Sequence, residues 1–342
     1  MIGRQEIRSP ASIRCIPDDP LQDERMAVPA TLFMAKVSAP GNDVTWQGEA
    51  GMVGKRLFRL AMMAGLGLPS AGVRATPPLR VVFPRPETPY DTRTGYPVAV
   101  LRLALEHLHV AFSMKQSTIV LSQARTLKLL EDNQVVTVGW SVATVERDKR
   151  LLVVRVPIDR GLIGWRVLLI RRDDEKRFSD LLTASQLAHV PMAQDQDWPD
   201  LAILHDNGFD MTAAINYTSL FSMLKLGHVD AVPRSVAEIG GELQSPDGAG
   251  LVAETHLLLH YPSALVFFVS KSNPSLAADL QIGLQRAIAD GSLQRLFELT
   301  YRQNLNALHL HDRRVIELAN PLLPASMVPA CRDFGFQPGT AQ

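Results

Sequence analysis

Short apolar runs alternate with helical patterns from residue 79 onward, and this alternation limits the possible folds more than any other feature of the sequence. Residues 79–83 form an apolar, β-branched run that predicts a strand. Apolar residues then recur at three- and four-residue steps between Tyr96 and Leu108, which predicts a helix, and residues 110–114 predict a second strand. Strand, helix and strand with short links are typical of parallel βαβ units, so the sequence predicts an α/β domain with a buried sheet.

The central stretch, residues 135–170, predicts a buried strand, a turn through Gly139 and Trp140, and a charged run at 146–150 that contains Arg147. A guanidinium just beyond a strand end, beside hydroxyls and an aromatic ring, can bind a carboxylate through two charge-assisted hydrogen bonds. The alternative is that Arg147 belongs to a solvated charge cluster. The stretch taken alone favours that alternative.

A second cycle of strands and helices begins at Phe178, and a strand at residues 264–270 with two following helices returns to the first cycle. Two cycles with such a return predict an α/β protein of two lobes, with the second lobe inserted in the first and joined to it by two crossovers. We expect the crossovers near residues 161–166 and 261–265. The predicted boundaries are lobe 1 at 76–165 plus 265–325 and lobe 2 at 166–264. A C-terminal tail at 326–342 is expected to wrap over the surface of the lobes.

The N-terminal region has the pattern of a cleavable signal peptide preceded by an extension. Residues 52–75 begin with basic side chains, continue through an apolar run too short to span a bilayer, and end in small residues. This pattern predicts a secretory signal peptide cleaved near Ala75, and hence a periplasmic or secreted protein. The alternative is an amphipathic helix, but its polar face is missing after Arg59. We therefore interpret residues 1–51 as a mis-annotated or disordered N-terminal extension.

Composition excludes several classes of protein. The 35 lysines and arginines equal the 35 aspartates and glutamates, so the zero net charge argues against a nucleic-acid partner. The two cysteines, Cys15 and Cys331, form no CxxC pair, which argues against a disulfide framework or a structural zinc site. No P-loop, GxSxG or HExxH motif is present, so we predict no metal, no cofactor and no catalytic residues.

Several segments in order resemble one family. The run Thr-Val-Glu-Arg at 144–147 follows a Val-Gly strand, Leu-Lys-Leu-Gly-His-Val-Asp-Ala occupies 224–231, and Val-Ser-Lys-Ser-Asn-Pro-Ser-Leu occupies 269–276. Together with the helix pair split at 290–293, they resemble family 3 extracellular solute-binding proteins over residues 79–301. The resemblance implies a type II periplasmic-binding fold and an amino-acid-receptor-like protein that serves an ABC-type importer.

The resemblance also implies residues for the ligand site. Arg147 would bind a ligand carboxylate, and Trp140, Ser141 and Thr144 would contact the same group. In the loop after the first strand, Tyr90 would pack on the ligand and Glu87 would also belong to the ligand site. From lobe 2, a loop at residues 194–198 with Asp197 and Trp198 would close over it.

One departure from the family pattern bears on the ligand. Where the family usually has an aspartate that holds an α-ammonium, this chain has Ser235 preceded by Arg234. The change favours a carboxylate or other small anion over an α-amino acid. Asp197 or Glu238 could restore an amine site.

The sequence therefore predicts a monomeric, non-enzymatic binding protein that captures a small polar, carboxylate-bearing solute between two lobes and delivers it to a membrane permease. One alternative is an enzyme on the same fold, similar to some dehydratases, with Glu87, Asp197 or Glu238 as the chemical group. The other is a ligand-sensing domain without a transporter. Fold alone does not separate these functions.

Overall fold

The structure is a computed structural model that describes residues 77–181 and 183–338. The predicted extension at residues 1–51, the predicted signal peptide at 52–75 and its cleavage near Ala75 all lie outside the described residues.

The described residues form strands and helices in the predicted alternation. The strands are β1 (Leu79–Arg85), β2 (Phe112–Val120), β3 (Val138–Val142), β4 (Leu152–Val154), β5 (Trp165–Arg171), β6 (Met192–Asp195), β7 (Met211–Ala214), β8 (Ala231–Ser235), β9 (Leu251–Ala253), β10 (Leu257–His260), β11 (Leu265–Val269) and β12 (Arg314–Glu317). The helices are α1 (Gly95–Glu106), α2 (Gln123–Glu131), α3 (Val145–Arg150), α4 (Glu175–Ser179), α5 (Ala184–Leu187), α6 (Pro199–Asp206), α7 (Tyr217–Lys225), α8 (Ile239–Gln244), α9 (Pro274–Ala289), α10 (Ser292–Ala307) and α11 (Val328–Asp333).

The strands belong to two separate regions, which define the two lobes. Lobe 1 contains the pair β1-β2 and the sheet β3-β11-β4. Lobe 2 contains a seven-stranded sheet in the order β12-β10-β5-β8-β6-β7, with β9 paired to β5. The chain enters lobe 2 after β4 and returns to lobe 1 at β11, so lobe 2 is inserted in lobe 1 as predicted.

The parallel pairing expected of the first βαβ unit is confirmed for β1 and β2, but other strands pair antiparallel. The pairs β1-β2 and β6-β7 are parallel, but β11 runs antiparallel to β3 and β4, and β5 runs antiparallel to β8 and β10. An apolar run indicates that a strand is buried on both faces and carries no information about its direction. The direction of β11 relative to β3 and β4 depends on the side from which the chain returns to lobe 1.

Strand β5 shows why the central runs are apolar throughout. Val167 and Leu169 pack into one hydrophobic cluster, while Leu168 and Ile170 pack into another on the opposite face. Side chains alternate between the two faces of a strand, so a strand covered on both sides needs apolar residues at every position.

The two crossovers run side by side where they were predicted. The first leads through Gly164 into β5, and the second joins β10 to β11 through Tyr261. The Tyr261 backbone N–H donates to the Gly164 carbonyl at 3.2 Å. This contact joins the first two connections between the lobes to each other.

The C-terminal segment crosses between the lobes once more. Strand β12 pairs in parallel with β10 in the lobe 2 sheet, although the sequence assigned residues 265–325 to lobe 1. Beyond it, the Val145 N–H donates to the Leu322 carbonyl at 3.0 Å, and the Phe336 N–H donates to the Arg160 carbonyl at 2.8 Å. The segment after β12 therefore fastens to the start of α3 and to Arg160 just before the first crossover, and β12 departs from the predicted boundary.

The predicted turn through Gly139 and Trp140 is also wrong. Both residues lie within β3, which pairs along its length with β11. The chain bends later, at Thr144, whose side chain accepts a hydrogen bond from the Arg147 N–H and so caps α3. A glycine inside a strand can mark close packing as readily as a turn, and here Gly139 lies against Leu130 of α2.

His107, at the end of α1, fastens this helix to the end of α9. Its Nε2 lies 2.9 Å from Asp290 Oδ2, and its Nδ1 lies 2.8 Å from the Leu103 carbonyl oxygen. The hydrogen bonds to Asp290 and then to Leu103 raise the pKa of His107, because both acceptors favour the doubly protonated ring.

We therefore expect the His107 contribution to stability to be complete below the unfolded pKa of about 6.5 and to be lost as pH rises through the higher folded pKa. His107→Gln should abolish this part of the pH dependence. Thermal melts of both proteins between about pH 5.5 and about pH 8.5 measure it. Parallel melting curves for the two proteins across that range would contradict the assignment.

Candidate ligand cleft

A cavity of about 110 Å³ lies between the lobes. Lobe 1 contributes residues from the loop after β1, the start of α2 and β3, and lobe 2 contributes Arg166 and the segment that leads into α6. Sites for drug-sized ligands usually measure about 300–1,000 Å³. A cavity of this size suits a ligand of few heavy atoms.

Arg147 reaches residues of both lobes at the edge of this cleft. Its Nη1 donates to Ser141 Oγ at 2.6 Å and to the Val142 carbonyl at 2.8 Å. Its Nη2 donates to Gln123 Oε1 at 3.0 Å and to the Asp197 carbonyl at 3.3 Å. The guanidinium thus connects β3 and α2 of lobe 1 with the lobe 2 loop before α6.

The acceptors around Arg147 are all neutral oxygens. Within the described residues, the guanidinium forms no ion pair with a carboxylate. Burial lowers the pKa of Arg147 to about 10, although the nearby charges of Asp200, Glu146 and Asp197 act in the opposite direction. The group therefore remains cationic at neutral pH. Because no carboxylate of the described residues is paired with it, its positive charge can attract an anion.

Two other predicted residues accompany Arg147, and both are buried. Ser141 lies in β3 and accepts from the guanidinium, and Thr144 caps the helix that carries Arg147. Trp140 lines the cavity itself, with its ring 6.5 Å from the rings of Phe83 and Phe267. Of these four predicted residues, only Trp140 lines the cavity. Arg147, Ser141 and Thr144 lie behind its wall, where Arg147 contacts the lining residues Gln123 and Val142.

The loop after β1 contributes only part of what was expected. Glu87 lines the cavity, whereas Tyr90 is 58% exposed and lies outside the cavity wall. Burial raises the pKa of Glu87, against the lowering effect of Arg93. Of the two predicted residues in this loop, only Glu87 thus reaches the cavity in this arrangement.

The predicted lobe 2 loop begins later than expected. Gln194 and Asp195 belong to β6, and Trp198 precedes α6 and is 8% exposed at the cavity wall. The Asp197 N–H donates to Asp195 Oδ1 at 2.9 Å, which turns the chain so that the Asp197 carbonyl meets Arg147. Asp197 therefore contacts the cleft through its backbone.

Arg234 and Ser235 lie within β8 and do not line the cavity. Arg234 is fully buried, and its guanidinium pairs with both oxygens of Glu242 at 2.9 and 3.0 Å and with Glu238 at 2.9 Å. Ser235 Oγ donates to the Leu162 carbonyl at 3.3 Å. Two glutamates thus neutralise the cation that sequence reasoning offered to a ligand, and Glu238 is held by Arg234.

Sequence reasoning missed Arg166. This side chain is 2% exposed, lines the cavity, pairs with Asp200 and lies 4.0 Å from Glu238, while its Nε has no hydrogen-bond partner within the described structure. The hydroxyl of Tyr261 also donates to Asp200. A charged residue at the start of the apolar run of β5 was a usable signal, because buried arginines are rare and usually paired.

Within residues 77–181 and 183–338, no group of three or more histidine, cysteine, aspartate or glutamate side chains could hold a metal ion. Among the described helices, none combines the length and the apolar character needed to cross a membrane.

Comparisons with known proteins identify the architecture. No protein-family model and no curated protein matches the sequence. Among solved structures, the chain is similar to an ancestral arginine-binding protein bound to arginine, at 15% identity and a TM-score of 0.50, and the match covers 66% of this chain and 99% of the other. It is also similar to the GluR0 ligand-binding core in complex with L-glutamate, at 13% identity and a TM-score of 0.50, with the same shares covered. The chain therefore has the two-lobed type II periplasmic-binding fold.

Proposed function

We propose that this protein is a solute-binding protein that captures a small carboxylate-bearing solute between its two lobes. The observation that carries the proposal is Arg147, a cation at the cleft whose hydrogen-bond acceptors are all neutral. A carboxylate is a stronger acceptor for a guanidinium than an amide or a backbone carbonyl, because both of its oxygens carry negative charge.

Binding of the solute would also change the contacts between the lobes through Arg147. A carboxylate that enters beside Arg147 exchanges one or both of the Nη2 bonds to Gln123 and the Asp197 carbonyl for charge-assisted bonds. Because one of these acceptors lies in lobe 2, the exchange changes the contacts between the lobes. A solute that contacts both lobes binds the closed arrangement more tightly than the open one. The closed arrangement is stabilised by that difference in binding free energy.

The protein would act outside the cytoplasm and hand its solute to a membrane permease of an ABC-type importer. The secretory pattern at residues 52–75 and the periplasmic-binding fold support this setting. The role is binding without chemistry, since the cleft groups that could act as acids or bases are engaged in ion pairs with arginines, as in the case of Glu87 and Glu238.

The test is a thermal-shift screen of the purified full-length chain against small carboxylates, amino acids and uncharged analogues. We expect the best carboxylate, at about one hundred times Kd, to raise the melting midpoint by about 5 °C or more. Arg147→Ala should weaken binding of that carboxylate by about a hundredfold, because it removes the cation that would pair with it.

Arg150→Ala is the matched control. Arg150 lies on the same helix, but its guanidinium pairs with Glu131 and Glu146 at the exposed surface. This variant should keep the shift of the parent protein. An undiminished shift in Arg147→Ala, or a response confined to uncharged compounds, would refute the carboxylate assignment.

A further inference from the structure

The loop between β1 and α1 sends one arginine, Arg93, into the cleft. Its Nε donates to Asp91 Oδ1 at 2.8 Å, and its Nη2 donates to Asp91 Oδ2 at 2.9 Å, which forms a two-point ion pair. The same Nη2 donates to Glu87 Oε1 at 3.1 Å. Two lobe 1 carboxylates thus surround one guanidinium, and Arg93 and both carboxylates line the cavity.

Lobe 2 supplies the other half of this environment. The Arg93 guanidinium carbon lies 3.8 Å from the ring centre of Tyr217, at the start of α7, and 5.4 Å from that of Trp198. A guanidinium over an aromatic face is attracted by the negative charge of the ring, and more strongly where water is excluded. Carboxylates from one lobe and rings from the other therefore enclose the same cation.

The charges agree with this geometry. Burial alone would lower the pKa of Arg93, but the charge and the hydrogen bonds of Asp91 raise it above its usual range. Burial opposes the ionisation of Asp91, yet Arg93 lowers the pKa of that carboxyl. Both partners are thus held in their charged forms.

The side chain of Thr92, the residue before Arg93, also packs closely against lobe 2. A methyl group on Gly241 of α8 would collide with the Oγ1 of Thr92. Glycine at this position leaves room for the Thr92 side chain against α8. Contact between the lobes is therefore built into this loop next to the guanidinium.

We propose that Arg93 is a tethered ligand: it fills a guanidinium-binding site formed by Asp91 and Glu87 of lobe 1 with Tyr217 and Trp198 of lobe 2, and it holds the lobes together without a solute. This inference goes beyond solute capture, because the site is specific for a cation and its occupant is part of the chain. One consequence rests on the proposed function. A solute with an ammonium group would have to displace Arg93 to reach Asp91, whereas a small anion would not.

The first experiment removes the tethered cation and supplies a free one. Arg93→Ala should melt at a lower temperature than the parent protein, and methylguanidinium at ten times its Kd should raise its midpoint by about 3 °C. The parent protein, whose site is filled, should not respond. Methylurea, a neutral compound of the same shape, should shift neither protein.

Arg102→Ala is the matched control, because Arg102 is exposed on α1 and its truncation creates no site in the cleft. An equal methylguanidinium shift in this variant, or no shift in a folded Arg93→Ala, would overturn the proposal. Methylguanidinium carries no carboxylate, so its result is independent of whether Arg147 binds one.

A second measurement applies even where Arg93→Ala does not fold. Arg93→Gln keeps most of the side-chain volume but loses the charge and the two-point pairing with Asp91. We expect small-angle X-ray scattering to give this variant a larger radius of gyration than the parent protein, both without added solute, because the lobes separate. An unchanged radius would overturn the role of Arg93 in holding the lobes together.

Discussion

Asp200→Asn is expected to lower the free energy of unfolding by about 3–5 kcal/mol, the usual cost of breaking a buried ion pair by removing one partner. Asp200 is the carboxylate nearest to Arg166, and both side chains are almost completely buried. Asparagine has nearly the same shape, so the packing is kept and only the charge is removed. Arg166 would then be left as a buried cation with Glu238 at 4.0 Å as its remaining acidic neighbour.

Equilibrium unfolding in urea measures this loss, and Asp206→Asn provides the control. Asp206 lies on the same helix with its side chain 52% exposed, so its substitution should change stability by less than about 0.5 kcal/mol. The double variant Arg166→Met, Asp200→Leu should recover much of the stability, because an apolar pair of similar volume leaves no buried charge. Equal losses in Asp200→Asn and Asp206→Asn would mean that solvent or another group compensates Arg166.

Gly164→Ala is expected to destabilise the protein by about 3 kcal/mol, at the upper end of the usual cost of overpacking. A methyl group at this position would collide with the backbone carbonyl oxygen of Tyr261 and would lie 3.1 Å from Ser263 Cβ. Both obstacles belong to the second crossover. Relief would require the two connections between the lobes to move apart, with loss of the hydrogen bond from Tyr261 to Gly164.

Thermal and urea unfolding of Gly164→Ala test this, with Gly95→Ala as the control. Gly95 begins α1, and a methyl group there would meet no atom within 4 Å. Alanine favours the helix over glycine by about 0.5–1 kcal/mol, so this variant should be neutral or slightly more stable. A Gly164→Ala protein as stable as the parent would show that the crossovers separate easily.

The predicted anchor and its neighbours come together for local reasons. Ser141, Thr144 and Arg147 lie within seven consecutive residues, where a strand ends and a capped helix begins. Over such short spans the period of a strand and the capping preference of threonine determine which side chains meet. The proximity of these three residues could therefore be predicted from the sequence, whereas Gln123 and the Asp197 carbonyl, the more distant acceptors of Arg147, could not.

The charge partners in the cleft could not be predicted in this way. Arg166 pairs with Asp200 across 34 positions, and Arg93 meets the ring of Tyr217 from the other lobe. Arg234 was expected to face a ligand, but Glu242 lies on the next helix and neutralises it inside lobe 2. A sequence shows which residues carry charge, whereas the packing of distant elements decides which charges neutralise one another.

By itself, the sequence determined the α/β class, the insertion of one lobe in the other, the positions of the crossovers, and the placement of Arg147 beside Ser141 and Thr144. These features depend on hydrophobic period, capping and chain order, which are local properties. The tertiary structure alone decided the directions of the strands, the size of the cavity and the position of Arg93 within it. Those features depend on contacts between residues far apart in the chain, whose geometry exists only once the lobes have folded and packed together.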